Sequence, residues 1–398
     1  MSMDVAAVRT AFPALTDGVA YFDGPGGSQV PRAVADAVAD TLCSGISNRG
    51  TVSAAERRAD AVVVKARAAV ADLLGAHPGG VVFGRSMTQL TFDLARALAA
   101  GWKPGDEVVV SRLDHDANIR PWVHAAAAAG VTVRWADFDP RSGELATEAV
   151  TSLLTGRTRV VAVTGASNLL GTRPDVPSIA AAAHAVGALV FVDGVHLTPH
   201  APVDLAELGA DVFACSPYKF FGPHLGVLAA DPALLETVLA PKLAPQTDAV
   251  PERFELGTLP YELLAGVTAA VDFIARLVPA DGDRRSRIVT SMRSVQAHED
   301  VLLADLVARL GAIEGVTLHG SPSRRTPTVL FSVRGRTPDE VHLLLAERGV
   351  NAPGGSFYAL EAARWMGLGE AGANRAGLAP YTDQRDVDRL VEGVAALV

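Results

Sequence analysis

Between about residues 81 and 230, short and nearly continuous apolar runs alternate with alanine-rich stretches of helical length. The runs are VVFGR (81–85), EVVVSR (107–112), VTVRWAD (131–137), RVVAVTGAS (159–167), LVFVDG (189–194) and ADVFACS (210–216). Segments such as IRPWVHAAAAAG and VPSIAAAAHAVG lie between them. A strand covered on one face alternates apolar with polar residues, whereas a strand apolar throughout is covered on both. The pattern therefore predicts an α/β fold built on a mostly parallel sheet with helices on both sides. In such sheets ligands bind beyond the carboxyl ends of the strands, so the residues just after each run carry the functional argument.

The 398 residues leave room for a second unit. A proline-containing connection at about 241–259 is followed by a long helical pattern at 287–310, with Ile288, Met292, Val295, Leu302 and Leu306 on one face. Strands near 316–320 and 327–333, a helix near 337–348 and a last helix from about Asp386 complete a smaller α+β domain. The net charge of −9 argues against nucleic acid or an anionic membrane as the main partner. No apolar run approaches the ~18 residues of a membrane span, and the first residues lack the character of a signal peptide. Cys43 and Cys215 have no metal-ligand spacing. HLTPH, with His196 and His200 four apart, has no third ligand and is interrupted by Pro199, so no metal site is expected. The expectation is a soluble cytoplasmic protein.

Two strand ends carry a complementary pair. Lys219 follows the run ADVFACS and the hydroxyl of Ser216, and Asp193 ends the run LVFVD, 26 residues upstream. A lysine amine condenses with an aldehyde, and a carboxylate keeps a pyridine nitrogen protonated. That is the pair that pyridoxal 5′-phosphate (PLP) requires.

Around this pair, YFDGPGGSQVP, SNRG, RSMTQ, DHDANIRPW, SNLLGT, VDGVHLTPH, CSPYKFFGPH, RFELGT and NRAGLAPY occur in order over nearly the whole chain. Together they resemble the fold-type I PLP enzymes of the class V aminotransferase group, in particular its cysteine desulfurase-like branch. The resemblance implies a large domain (19–258) with a mostly parallel seven-stranded sheet, a smaller α+β C-terminal domain (259–398), and an N-terminal segment (1–18) packing with the small domain. It implies that Met87 and Thr88 open a helix at the cofactor phosphate, with Ser216 also at the phosphate. His115 would stack on the pyridine ring, and Asn168 would bond its hydroxyl. His196 falls where many relatives carry glutamine or serine and can bond the ring oxygen. Tyr218 replaces a histidine common in desulfurases and can donate through its phenol. Arg375 would clamp the substrate α-carboxylate, and Arg49 would line the substrate mouth. Thr258 would reach the phosphate of the neighbouring subunit's site, which implies a homodimer.

One departure bears on the reaction. Desulfurases carry a persulfide on a loop cysteine, and in GVNAPGGSFYALEAARW the corresponding position is Tyr358, placed here at the substrate. Neither Cys43 nor Cys215 lies in that loop, and Cys215 reads as a small buried hydrophobe. The expectation is a PLP enzyme acting at Cα of a small amino acid, by β-elimination of the C–S lyase type. Alternatives are an aminotransferase, a racemase or epimerase, and a PLP-binding scaffold subunit in sulfur handling.

Overall fold

A computed structural model of the chain describes residues 3–398. Its centre is a seven-stranded sheet formed by β1 (Val81–Gly84), β2 (Glu107–Ser111), β3 (Thr132–Ala136), β4 (Thr158–Thr164), β5 (Leu189–Asp193), β6 (Val212–Cys215) and β7 (Gly226–Ala230). The spatial order is β1-β7-β6-β5-β4-β2-β3. The pairs from β6 across to β3 are parallel, and β7 alone runs against its two neighbours. The fold is the expected mostly parallel α/β sheet of fold-type I. Six of its strands coincide with the apolar runs, whereas β7 lies in the segment after Lys219, where no run was expected.

The alternation of side chains explains why these runs are apolar throughout. Val161, Val163, Val190, Val192, Phe213 and Val227 enter one core, while Val160, Ala162, Phe191, Val212, Ala214 and Leu228 enter another on the opposite face. Each large side chain buried in this way contributes about 1.5–3 kcal/mol, so a polar residue at any of these positions is excluded from either side.

Two glycines allow the sheet to end where it does. A Cβ on Gly194, directly after Asp193, would lie 1.7 Å from Cζ of Phe213. One on Gly226 would lie 2.4 Å from the Met87 nitrogen, so only glycine lets β7 pass under the start of the helix Met87–Ala99. That helix starts where it does because Ser86 Oγ accepts the Gln89 amide at 3.1 Å.

The smaller sheet is antiparallel, made of β8 (Val316–His319), β9 (Thr328–Val333), β10 (Gly354–Gly355) and β11 (Ala373–Gly377) in the order β10-β11-β9-β8. The helix Arg284–Gly311 joins the two units. Its Ile288, Met292 and Val295 enter the core of the large sheet, and Leu302, Leu306 and Leu310 enter that of the small one. The helix Tyr261–Ile274, which the expectation assigned to the smaller domain, sends Leu264, Val267 and Val271 into the large-sheet core. In the N-terminal segment, Arg9 donates to the Tyr381 carbonyl and to Asp386, both at 2.6 Å, while Val8 and Phe12 pack into the large core. Met1 and Ser2 of that segment lie outside the described residues. Among the described residues no helix is long and apolar enough to cross a membrane.

Candidate active site

The carboxyl ends of β2, β4, β5 and β6 open into a cavity of about 680 Å³. Its walls bring together Met87, Thr88, His115, Asn168, Asp193 and His196, and with them Ser216, Tyr218, Lys219, Tyr358 and Arg375. Two expected residues lie outside its walls, and Thr258 was expected at a neighbouring subunit's site. Arg49 binds Asp60 and Glu252, each at 2.9 Å, and Thr258 is exposed; neither lines this cavity.

Lys219 ends a short turn, Pro217–Lys219, that Ser216 begins directly after β6. Its Nζ donates to the carbonyl of Pro25 and lies 5.1 Å from the centre of the Tyr218 ring. Burial pushes the amine down to about 7, and the charge of Arg375 pushes the same way, against the pull of Asp193 and Asp23. A good share of the amine is therefore neutral at physiological pH. Burial raises Asp193 to about 6, while the Val195 amide, 3.0 Å from Oδ1, and Lys219 hold it from rising further. An acid and an amine thus face one cavity with opposite and partly compensating shifts, the pattern expected of proton-handling groups.

His115 accepts the Ala117 amide on Nδ1 at 3.0 Å, which leaves Nε2 as the protonated nitrogen. Burial, followed by the charges of Lys219 and Arg375, lowers it to about 4, so the ring is neutral. Tyr358 stacks on it with centroids 5.6 Å apart. Behind His115 is a network that the sequence reading missed. Asp114 accepts from Ser111 Oγ at 2.5 Å and Asn118 Nδ2 at 2.6 Å, and Asn118 Oδ1 accepts from Trp122 Nε1 at 3.1 Å. Burial raises Asp114 to about 8. The available signal was the four-residue spacing of Asp114, Asn118 and Trp122, which places them on one face.

Arg375, on β11, is buried; its Nη1 donates to the Asn168 carbonyl at 2.9 Å, and its guanidinium lies 3.8 Å from the centre of the Phe357 ring. Burial lowers it to about 9, against the nearby charge of Asp23. Phe357 and Tyr358 both adopt left-handed backbone, with φ of 53° and 58°. The turn is held by the Asp116 amide on the Tyr358 carbonyl (2.7 Å) and by Asn168 Nδ2 on the Phe357 carbonyl (2.9 Å). Such backbone costs about 1–3 kcal/mol per residue and persists only where its surroundings enforce it. Tyr358 is 77% exposed at the cavity mouth. Cys43 is exposed on the helix Arg32–Cys43, while burial and then Asp193 push the Cys215 thiol upward.

Three buried polar atoms of these residues have no protein partner: Asn168 Oδ1, His196 Nδ1 and Arg375 Nε. Buried polar atoms are nearly always bonded, so three left over around one cavity mark where a polar ligand bonds. An amine for an aldehyde, an acid for a ring nitrogen, two side chains for a ring oxygen and a helix start for a phosphate together fit PLP. Among the described residues no group of His, Cys, Asp or Glu is arranged to hold a metal ion.

The family model described as aminotransferase class-V matches residues 20–390. The chain is 38% identical over 401 residues to an uncharacterised protein of Mycobacterium tuberculosis, with 100% of each chain covered. It is 32% identical to the cysteine desulfurase of Dickeya dadantii, over 97% of this chain and 95% of that one. The crystal structure of the cysteine desulfurase CsdA of Escherichia coli superposes with a TM-score of 0.86 at 28% identity, covering 99% of this chain and 98% of that one. The chain belongs to the class V aminotransferase family of PLP-dependent enzymes, in its cysteine desulfurase-like branch.

Proposed function

We propose that the chain acts at Cα of a small amino acid and eliminates a β-substituent, in the manner of a C–S lyase, without a protein persulfide. The observation that carries this is Tyr358. It stands at the cavity mouth where the resemblance calls for the sulfur-carrying cysteine, and a phenol holds no persulfide. Neither cysteine compensates, since Cys43 and Cys215 both lie outside the cavity lining.

Bound in the cavity, the cofactor supplies an aldehyde that condenses with an amine and a protonated ring that draws electrons from Cα. The chain's residues do the rest. Arg375 grips the substrate carboxylate, and its plane is set by the Phe357 ring and the Asn168 carbonyl. Lys219, neutral in a good share of molecules, takes the proton from Cα. Asp193 would keep the ring nitrogen protonated, and His115, held neutral, would face the ring. Met87, Thr88 and Ser216 would hold the phosphate at a helix start. Tyr358, at the cavity mouth, would protonate the leaving group.

We also propose a homodimer. Thr258 is exposed, as are Val52 (86%), Leu239 (81%), Leu243 (63%) and Leu256 (57%), so the segments near it present apolar surface that a second copy would cover. Sedimentation giving a single-chain mass at micromolar protein removes this part of the reading.

The elimination reading is tested with a Cys43→Ala/Cys215→Ala variant supplied with L-cysteine and cystine. Keto acid and ammonia should form at the wild-type rate, and mass spectrometry of the wild type should find no added sulfur. Loss of turnover in the variant, or a persulfide on either cysteine, overturns it.

A further inference from the structure

His196 and Thr328 come from different sheets. His196 follows β5 of the large sheet, and Thr328 begins β9 of the small one. His196 Nε2 lies 2.9 Å from Thr328 Oγ1. Both residues are buried, and this is the only hydrogen bond of the Thr328 hydroxyl among the described residues.

The protons can be counted. A hydroxyl has one proton to donate, and a neutral imidazole carries one proton on one of two nitrogens. If Nε2 held the imidazole proton it would donate to Oγ1, and the hydroxyl proton would have no acceptor in a dry site. If the hydroxyl donates to Nε2, every proton on that side is placed, and the imidazole proton sits on Nδ1. Once an oxygen of the bound cofactor accepts from Nδ1, only the first arrangement leaves a buried donor unpaired, which disfavours it by about tenfold or more. Nδ1 is the nitrogen that has no protein partner, and the ring lines the cavity. Burial holds the imidazole neutral, well below its ordinary titration range, and the neighbouring charges reinforce this. Those are Arg375, Lys219 and His200, whose ring meets His196 edge-on at 5.1 Å and whose Nδ1 is 3.0 Å from Glu299.

We propose that Thr328 is a positioning residue that fixes His196 in its Nδ1–H tautomer, making it a neutral donor to the ring oxygen of the bound cofactor. The proposal rests on the cofactor assignment. It explains how a histidine serves where relatives carry an uncharged donor: the ring adds no charge, and its donor is set by a hydroxyl from the other domain. The strength of that donor therefore depends on the small sheet being docked against the large one.

The test uses protein labelled with ¹⁵N-histidine, with the His196 signals assigned by their loss in His196→Gln. In the loaded wild type, Nδ1 should be the protonated nitrogen and Nε2 the bare one. Thr328→Val should mix the two tautomers. It should also raise the pH midpoint of the visible band of the lysine-bound cofactor, because a weaker donor leaves more electron density on the oxygen and its shared proton. The expected rise is about 0.5–1 pH unit, three- to tenfold in the proton dissociation constant. Thr328→Ser keeps the hydroxyl and should restore both signals, which a purely structural effect of residue 328 would not produce. A protonated Nε2 in the wild type overturns the proposal, as does Thr328→Val with tautomer and midpoint unchanged, or Thr328→Ser behaving as Thr328→Val. Absence of any visible band with added PLP would instead strike the cofactor assignment, and the proposal with it.

Discussion

Consider Lys219→Met in the cofactor-free protein. In the unfolded chain the amine holds its proton up to pH 10.5, whereas in the folded chain burial and Arg375 release it near 7. Between these values the unfolded state binds more protons, so wild-type stability rises with pH through that window; below it the whole penalty of a buried cation is present. Each pH unit is worth about 1.4 kcal/mol, which gives a penalty of about 4–5 kcal/mol at pH 7 and about 1 kcal/mol at pH 9.5. Water in the cavity screens part of this, so a measured difference of about 2–4 kcal/mol at pH 7 is expected. Methionine has a similar length and no charge, and the variant lacks the penalty at every pH. It also lacks the bond to the Pro25 carbonyl, a loss of about 1 kcal/mol at every pH where the amine is bonded. The assay is urea unfolding of both apoproteins from pH 7 to 9.5, above the Asp193 midpoint of about 6. Asp114, near 8, titrates in both proteins and cancels in the difference. The variant should be the more stable at pH 7, with its advantage shrinking steadily towards pH 9.5. Parallel stability curves would refute the claim that the fold holds Lys219 as a depressed amine.

Other perturbations read other parts of the account. Glu255→Ala strips the buried Arg67 of partners at 2.8 and 2.9 Å and leaves the Phe83 amide unbonded, so denaturation should show a loss of about 3 kcal/mol; Glu252, 3.3 Å from Arg67, keeps it from being larger. Arg375→Lys loses the planar fork over Phe357 and should raise KM for the amino acid about 10- to 100-fold, with the visible spectrum of bound cofactor retained. A thiol reagent should titrate one cysteine, Cys43, in the native protein and both after denaturation.

The strand ends were legible because a doubly covered strand must be apolar along its length, and the residues that break the run stand out. Asp193 and Lys219 were found in that way, and both line one cavity with Asn168, which the family resemblance supplied. β7 was not, because its five residues follow glycine and proline and it runs against the parallel pattern. β11 was also hidden: ANRAG has two polar residues among small ones, yet every residue in it is buried. Arg375 is accommodated there by the Asn168 carbonyl, from the other domain, and by the Phe357 ring, contacts that no local pattern encodes. Thr328 belongs to the same class, since its partner is 132 residues away. Arg49 shows the converse. Its motif matched, but its guanidinium is occupied by Asp60 and Glu252, and only the folded chain reveals that.

The central claim, elimination at Cα without a persulfide, is tested most directly by one turnover of the loaded enzyme with L-cysteine, following cofactor form, keto acid, ammonia and sulfide together. The account predicts keto acid, ammonia and sulfide in equal amounts, with the cofactor recovered in its aldehyde form. Conversion of the cofactor to pyridoxamine phosphate without release of ammonia would contradict it and assign the chain to transamination.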